Sequence, residues 1–189
     1  MRLAILADGD DAALYGLDGT FAWGEARTFA ALPAENFDVV IAVGDVPPPL
    51  PANDALFELA KRPGSGVLVV GDGGPIAQDL RDRRAEVRSA PRLTLAELER
   101  AAVVVLAGAR GAFAVLAAGR VLVAPRAAPS FGLLAGIDHL AYDSDREAAA
   151  YADAAVSFPA ACEPIAAMAA LTAESRRAST VYGRLATLR

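Results

Sequence analysis

The chain has 189 residues, a formal net charge of −5, one cysteine and one histidine. One cysteine excludes an internal disulfide, one histidine excludes a multi-histidine metal site, and the acidic balance argues against a nucleic-acid-binding surface. No apolar run reaches the roughly 20 residues that span a bilayer, and the length suits one domain, so we expect a single domain over residues 1–189 without a membrane span or a metal.

The N-terminal residues predict a buried strand, Leu3–Ala7, followed by the acidic turn Asp8–Asp11. One basic residue, a short apolar run and these acids do not make a signal peptide, so we expect a cytoplasmic location. Gly9 alone does not make the glycine-rich dinucleotide fingerprint, and the acids oppose phosphate binding there. Residues 12–36 have weak periodicity and predict either a short strand or a loop.

The next part of the chain alternates predicted strands and helices. Phe37–Val43 and Val67–Val70 are continuous apolar runs of strand length, which is typical of strands buried on both faces. A shorter strand is predicted near Glu86–Ser89. The predicted helices run from Asn53 or Asp54 to Lys61, from about Ile76 to Arg84, and from Leu95, capped by Thr94, to Arg100.

Residues 101–126 predict a βαβ unit, which sets the fold class. Two buried strands, Val103–Ala107 and Val121–Pro125, are joined by a turn, Gly108–Gly111, and a short alanine-rich helix, Ala112–Ala118. Two such strands in succession favour a parallel sheet that is covered on both faces. We therefore expect a single Rossmann-like three-layer α/β domain with a mostly parallel sheet of about six strands.

The C-terminal third predicts one more strand and two helical regions. The strand is Asp138–Tyr142, and a helix follows over about Arg146–Ser157, capped by the residues Asp143–Asp145. The last helical region opens at Phe158, breaks near Pro164, and then continues to about Leu188.

Loops at the carboxyl ends of the predicted strands hold the candidate binding residues, because parallel α/β folds bind ligands there. The candidates are Gly71, Asp72, Gly73 and Gly74 after one strand, Arg110 and Gly111 after another, and Arg126 and Ser130 after a third. Arginine binds phosphate or carboxylate in bidentate fashion, and glycine lets the backbone approach a ligand. The alternatives are strand–helix turns that need positive φ, and arginines that are solvated or salt-bridged at the surface.

Two segments resemble the nucleotide-sugar-binding C-terminal domain of GT-B glycosyltransferases, of the group 1 or spore-maturation type. Residues 110–125 are similar to the family's donor-side run F-E-x-L-A-x-G-x-P-V-V, and the strand end VGDGGP, residues 70–75, is similar to an earlier element of that domain. The order of elements extends the resemblance over residues 67–189. It implies a nucleoside diphosphate sugar as ligand, no separate cofactor, and a partner chain that supplies the acceptor half.

The sequence departs from the family where the donor is held. The two glutamates that flank the donor in the family correspond to Leu106 and Ala114, and the family's arginine–lysine pair for the departing diphosphate has no counterpart after the first strand. The chain therefore resembles a truncated, motif-degenerate form, and we assign no catalytic residue.

Three hypotheses follow from these observations. The first is a glycosyltransferase-like protein that binds a nucleotide or nucleotide sugar. The second is a non-catalytic scaffold or interaction protein with a decayed donor site, which forms a homodimer through its alanine-rich C-terminal helices. The third, a flavodoxin-like small-molecule-binding domain, rests on the fold alone.

Overall fold

A computed structural model describes residues 3–6, 14, 20–21, 24–27, 39–42, 52–108, 110–126 and 132–181. Within these residues the strands form two sheets. The first sheet contains β1 (Leu3–Leu6), β2 (Thr20–Phe21), β3 (Gly24–Arg27) and β4 (Val39–Ala42), in the order β2-β3-β1-β4. Strand β1 is parallel to both β3 and β4, whereas β2 is antiparallel to β3.

The second sheet has five strands, all parallel, in the order β6-β5-β7-β8-β9. They are β5 (Val67–Val70), β6 (Val87–Ala90), β7 (Val103–Leu106), β8 (Val121–Pro125) and β9 (Leu140–Tyr142). Every residue of β5 and β7 is buried. This burial confirms the prediction from their continuous apolar sequences, because such a strand needs cover on both faces.

Helices cover both faces of the second sheet. They are α1 (Asp54–Leu59), α2 (Gly74–Asp82), α3 (Leu95–Arg100), α4 (Ala112–Ala117), α5 (Asp145–Ser157) and α6 (Glu163–Glu174), with a 3-10 helix (Pro159–Cys162) before α6. Alternate residues of each strand pack into two core layers, one with α2 and α5 and the other with α1, α3, α4 and α6. The predicted three-layer, Rossmann-like α/β fold is confirmed.

Side chains cap three of these helices at the predicted places. The Asn53 side chain accepts a hydrogen bond from the Ala55 amide at 3.0 Å. Thr94 and Ser144 accept from the amides of Glu97 and Glu147, each at 3.3 Å. Each cap satisfies an amide that has no partner inside its helix.

The described strands differ from the prediction of one sheet of about six strands. Strands β2 and β3 come from the weakly periodic residues 12–36, and β1 pairs with β3 and β4 rather than with β5. The first and fourth strands therefore belong to a separate sheet. That the chain forms a single domain stays a prediction.

The last helix also differs from its prediction. The predicted break near Pro164 coincides with the boundary between the 3-10 helix and α6, which starts at Glu163, but α6 ends at Glu174, whereas the sequence predicts a helix to about Leu188. Pro164 lies in the first turn of α6, where a missing amide breaks no helical hydrogen bond, so it starts the helix rather than interrupting it. Residues 182–188 lie outside the described residues.

After α6 the chain returns to the residues that follow the first sheet. The Ala52 amide donates to the Arg176 carbonyl at 2.8 Å, and the Ala178 amide donates to the Ala52 carbonyl at 2.9 Å. The Arg177 guanidinium stacks 3.8 Å from the centre of the Phe57 ring. These contacts fasten the start of α1 to the C-terminal segment.

At the amino end of the second sheet, the buried side chain of Arg120 joins two helices. Its guanidinium donates to the carbonyls of Leu98 at 3.0 Å, Arg62 at 2.7 Å, Leu59 at 3.3 Å and Glu99 at 3.4 Å. These carbonyls lie at or just beyond the C-terminal ends of α1 and α3, where the helix dipole favours a cation. Burial lowers the pKa of Arg120.

A tyrosine completes the hydrogen bonding at the carboxyl end of β7. The Val121 amide donates to the Ala102 carbonyl, and a parallel ladder advances by two residues on each strand, which brings the nitrogen of Pro125 opposite the carbonyl of Leu106. Proline has no N–H to donate. The Tyr142 hydroxyl donates to this carbonyl instead, at 3.0 Å.

Among the described residues, no single helix has the length and apolar composition of a membrane span. Helix α5 and the segment Pro159–Glu174 meet those criteria only as a pair, bent by 112° at the break between them.

Candidate ligand-binding cavity

A cavity of about 460 Å³ opens at the carboxyl ends of β5, β6 and β7. Its lining comes from the loops that follow these strands, together with the last residues of β5 and β7 and one residue from the N-terminal part. The lining residues are Leu14, Val70, Gly71, Asp72, Pro91, Arg92, Leu93, Leu106, Ala107, Gly108, Arg110 and Gly111. The cavity thus lies where α/β folds place ligands.

The strand order explains why a cavity forms at this place. From β5 the chain passes to β6 on one side, and it then crosses to β7 on the other side of β5. The loops after β5 and β7 therefore leave in different directions and open a crevice between them, which is the topological switch point of a doubly wound sheet. Counted from β5, the order 2-1-3-4-5 is that of flavodoxin-like sheets.

Glycines shape the loops around the cavity. Gly71 has φ of +88°, and Gly111 has φ of +83° and would place a Cβ 2.6 Å from Cδ2 of Leu93. Both positions therefore need glycine, the second also because it packs on a neighbour. At Gly108, no heavy atom of the described residues lies within 4 Å of an added Cβ. Gly108 lines the cavity, and an added Cβ there would have room among the described residues.

The structure brings four of the predicted site residues together, since Gly71, Asp72, Arg110 and Gly111 all line the cavity. Gly73 is buried, and a Cβ there would lie 2.4 Å from Cγ1 of Val69. This glycine is therefore explained by packing.

The other predicted site residues lie away from the cavity lining. Gly74 is exposed in the first turn of α2, and Ser130 lies outside the described residues. The Arg126 side chain donates to Oδ2 of Asp143 at 2.9 Å and to the Ala141 carbonyl at 3.3 Å. For Arg126, the salt-bridged alternative is therefore the arrangement observed.

The ion pair of Arg126 belongs to a small network beyond β8 and β9. The hydrogen bond to Asp143 raises the pKa of Arg126. The Asp143 amide and the Tyr151 hydroxyl each donate to Glu147 at 2.7 Å, and these bonds lower the pKa of that carboxyl. The network orders the turn before α5.

Eight of the described cavity residues were not among the sequence candidates: Leu14, Val70, Pro91, Arg92, Leu93, Leu106, Ala107 and Gly108. Arg92 and Leu93 follow β6, so the rule that selected the other loops would have found them had it been applied to the strand predicted near Glu86–Ser89. Leu14 lies in a stretch with weak periodicity, which gives no such signal. Its carbonyl accepts a hydrogen bond from the Asn53 amide at 3.0 Å, which places it beside α1.

Among the residues that the structure describes, the charged ones that line the cavity are Asp72, Arg92 and Arg110. Together they carry a formal charge of +1, whereas the whole chain carries −5. A concave site with cationic lining attracts anions, and a guanidinium is suited to phosphate.

Leu106 and Ala114, which the predicted resemblance aligns with the two glutamates of GT-B enzymes, offer no carboxylate. Leu106 is among the residues that line the cavity and is almost fully buried, and Ala114 is fully buried inside α4. Neither side chain can accept a hydrogen bond from a ligand hydroxyl.

The chain's one histidine lies away from the cavity. His139 Nδ1 lies 2.8 Å from Oδ1 of Asp138, and both residues are buried. Asp138 also accepts from the Leu134 amide and from the Thr172 hydroxyl, so it joins the loop before β9 to α6. Within the described ranges, no cluster of three or more histidine, cysteine or acidic side chains could hold a metal ion.

Comparison of the sequence with models of known protein families gives no match, and comparison with curated proteins gives none either. The resemblance to GT-B glycosyltransferases therefore stays a prediction from the order and sequence of the motifs.

Proposed function

We propose that this chain is a glycosyltransferase-like binding domain that takes a nucleoside diphosphate, free or linked to a sugar, in the cavity at the ends of β5, β6 and β7. The observation that supports this most directly is the position of Arg92 and Arg110, which line a cavity at the switch point of a parallel sheet. Switch-point crevices are where doubly wound folds bind nucleotides.

The size of the cavity suits such a ligand. Its volume of about 460 Å³ falls within the range of roughly 300–1,000 Å³ that is usual for small-molecule sites. In the bound state the two guanidinium groups contact the phosphates, and the carboxylate of Asp72 accepts hydrogen bonds from ribose hydroxyls.

In this proposal the chain binds the nucleotide or nucleotide sugar, and no residue is assigned to sugar transfer. The side chains of Leu106 and Ala114 cannot hold a donor sugar by hydrogen bonds, and stabilisation of the leaving group is usually a large part of catalysis. A partner chain that supplies the acceptor half, and the cytoplasmic location, remain predictions from the sequence.

A thermal-shift and calorimetry series with nucleoside diphosphates and their sugar conjugates tests the proposal. A ligand at 100 times its dissociation constant adds about 2.7 kcal/mol to the free energy of unfolding. The variant Gly108→Leu should abolish binding with little change in stability, because Gly108 lines the cavity and an added Cβ there meets no heavy atom of the described residues within 4 Å. Gly74→Leu is the matched control, since that position is also open but does not line the cavity.

Arginine variants test the contacts with the phosphates. Arg92→Gln and Arg110→Gln should each weaken binding at least about tenfold, because each removes a charge-assisted hydrogen bond. Arg126→Gln, which removes an arginine already paired with Asp143, should bind as the natural protein does. Failure of the natural protein to bind any common nucleoside diphosphate would overturn the proposal.

A second candidate function, a homodimeric scaffold, is favoured by exposed apolar side chains near the C-terminal helix. Met168 and Leu171 of α6 are 42% and 66% exposed, and Leu134 of the loop before β9 is 55% exposed. Sedimentation at high protein concentration distinguishes this candidate. A dimer that Leu171→Lys dissociates, together with no nucleotide binding, would favour the scaffold.

A further inference from the structure

The described lining of the cavity has two parts, which we define by the chemistry and the exposure of their residues. Four buried aliphatic side chains, Leu14, Val70, Leu93 and Leu106, form what we call the aliphatic wall. The side chains of Asp72, Arg92 and Arg110 form what we call the charged rim; the first two are exposed and the third is half-buried. A ligand that fills both parts must itself have an apolar end and an anionic end.

The aliphatic wall is a continuous part of the protein core. All four of its residues belong to the core layer that also contains α3 and α4. Its side chains are therefore held by packing on their other sides, and the wall presents a fixed surface to the ligand. A fixed apolar surface binds a rigid flat group well, because little ordering is needed on binding.

None of the four wall side chains can form a hydrogen bond. A hexose placed against the wall would lose water from several hydroxyls without gaining partners, which is unfavourable. A nucleobase has two apolar faces and can keep its polar edge directed towards solvent or backbone. The aliphatic wall therefore favours contact with the base of a nucleotide and disfavours contact with the hexose of a nucleotide sugar.

We infer that the aliphatic wall takes the nucleobase and the charged rim takes the phosphates, so that the hexose of a nucleotide sugar points out of the cavity and adds no affinity. This inference rests on the proposed function, since it requires that a nucleoside diphosphate binds here. By this inference the protein recognises the nucleotide and not the sugar.

Calorimetry on the full-length protein tests the inference with three probes. They are the best-binding diphosphate of uridine, guanosine and adenosine, its hexose conjugate, and inorganic diphosphate. We expect the nucleoside diphosphate and its conjugate to bind within about twofold of each other, and inorganic diphosphate to bind at least about tenfold more weakly.

Saturation-transfer NMR on the hexose conjugate gives a direct second readout. Irradiation of the leucine and valine methyl groups should transfer more signal to the base protons than to the hexose protons. The transfer should disappear in Gly108→Leu and persist in Gly74→Leu.

The possible results distinguish this inference from the proposed function on which it rests. A conjugate that binds tenfold more tightly than the nucleoside diphosphate, or stronger saturation of the hexose protons, would overturn the inference and leave the proposed function standing. Inorganic diphosphate that binds as well as the nucleotide would also overturn it. No binding of any nucleotide would overturn both.

Discussion

The two ends of the five-stranded sheet hold arginines in opposite surroundings. At the amino end, Arg120 is 4% exposed and donates to four backbone carbonyls. At the carboxyl end, Arg92 and Arg110 line a cavity. The same side chain therefore joins helices at one end and, in our proposal, binds a ligand at the other, so the surroundings of an arginine decide its role more than the residue type does.

The largest effect should come from Arg120→Met. The variant removes the donors of four carbonyls while keeping an apolar stem, so we expect the free energy of unfolding to fall by about 3 kcal/mol. Urea denaturation measures this loss. Arg126→Met, which breaks one exposed ion pair, is the control and should cost less than about 1 kcal/mol. Equal losses of unfolding free energy in Arg120→Met and Arg126→Met would contradict the expected difference between the buried and the exposed arginine.

A smaller effect is expected at the carboxyl end of β7. Tyr142→Phe leaves the Leu106 carbonyl without the hydroxyl that replaces the missing amide of Pro125, and we expect a loss of about 1–2 kcal/mol. Pro125→Ala supplies an N–H opposite that carbonyl. The double variant should therefore be more stable than Tyr142→Phe alone, and a double-mutant cycle in urea measures the coupling. Additive effects would mean that the hydroxyl does not replace the amide.

The smallest effect should appear as a pH dependence at the turn before α5. Hydrogen bonds from the Asp143 amide and the Tyr151 hydroxyl lower the pKa of Glu147 below 4.5. A lowered folded-state pKa contributes stability that is present above 4.5 and lost as the pH falls through the folded value. We therefore expect Glu147→Gln to flatten the fall in stability below pH 4.5. Thermal melts between pH 3 and 7 check this, and an unchanged slope would contradict it.

Local sequence predicts most of the second sheet. Val67–Val70 and Val121–Pro125 have in the structure the bounds that their apolar runs predict. Thr94 caps α3 as its sequence indicates. These features depend on neighbouring residues only, which is why one sequence suffices to find them.

The features that the sequence does not reveal depend on distant residues. Arg120 donates hydrogen bonds to carbonyls that are 21 to 61 residues away in the sequence, and Tyr142 donates to a carbonyl that is 36 residues away. Leu14 reaches the cavity from outside the second sheet. No periodicity or spacing along the chain encodes such contacts, so the cavity could be predicted only as a set of loops, and its aliphatic wall could not be predicted.

The return of the C-terminal segment to Ala52 bears on how the protein is made. Ala52 exchanges backbone hydrogen bonds with Arg176 and Ala178, so the start of α1 gains these partners only after the chain has been synthesised as far as residue 178. Closing so long a loop is entropically costly and slows folding. We expect a nascent chain that has been synthesised only as far as β8 to pair β5–β8 while the start of α1 is still unfastened.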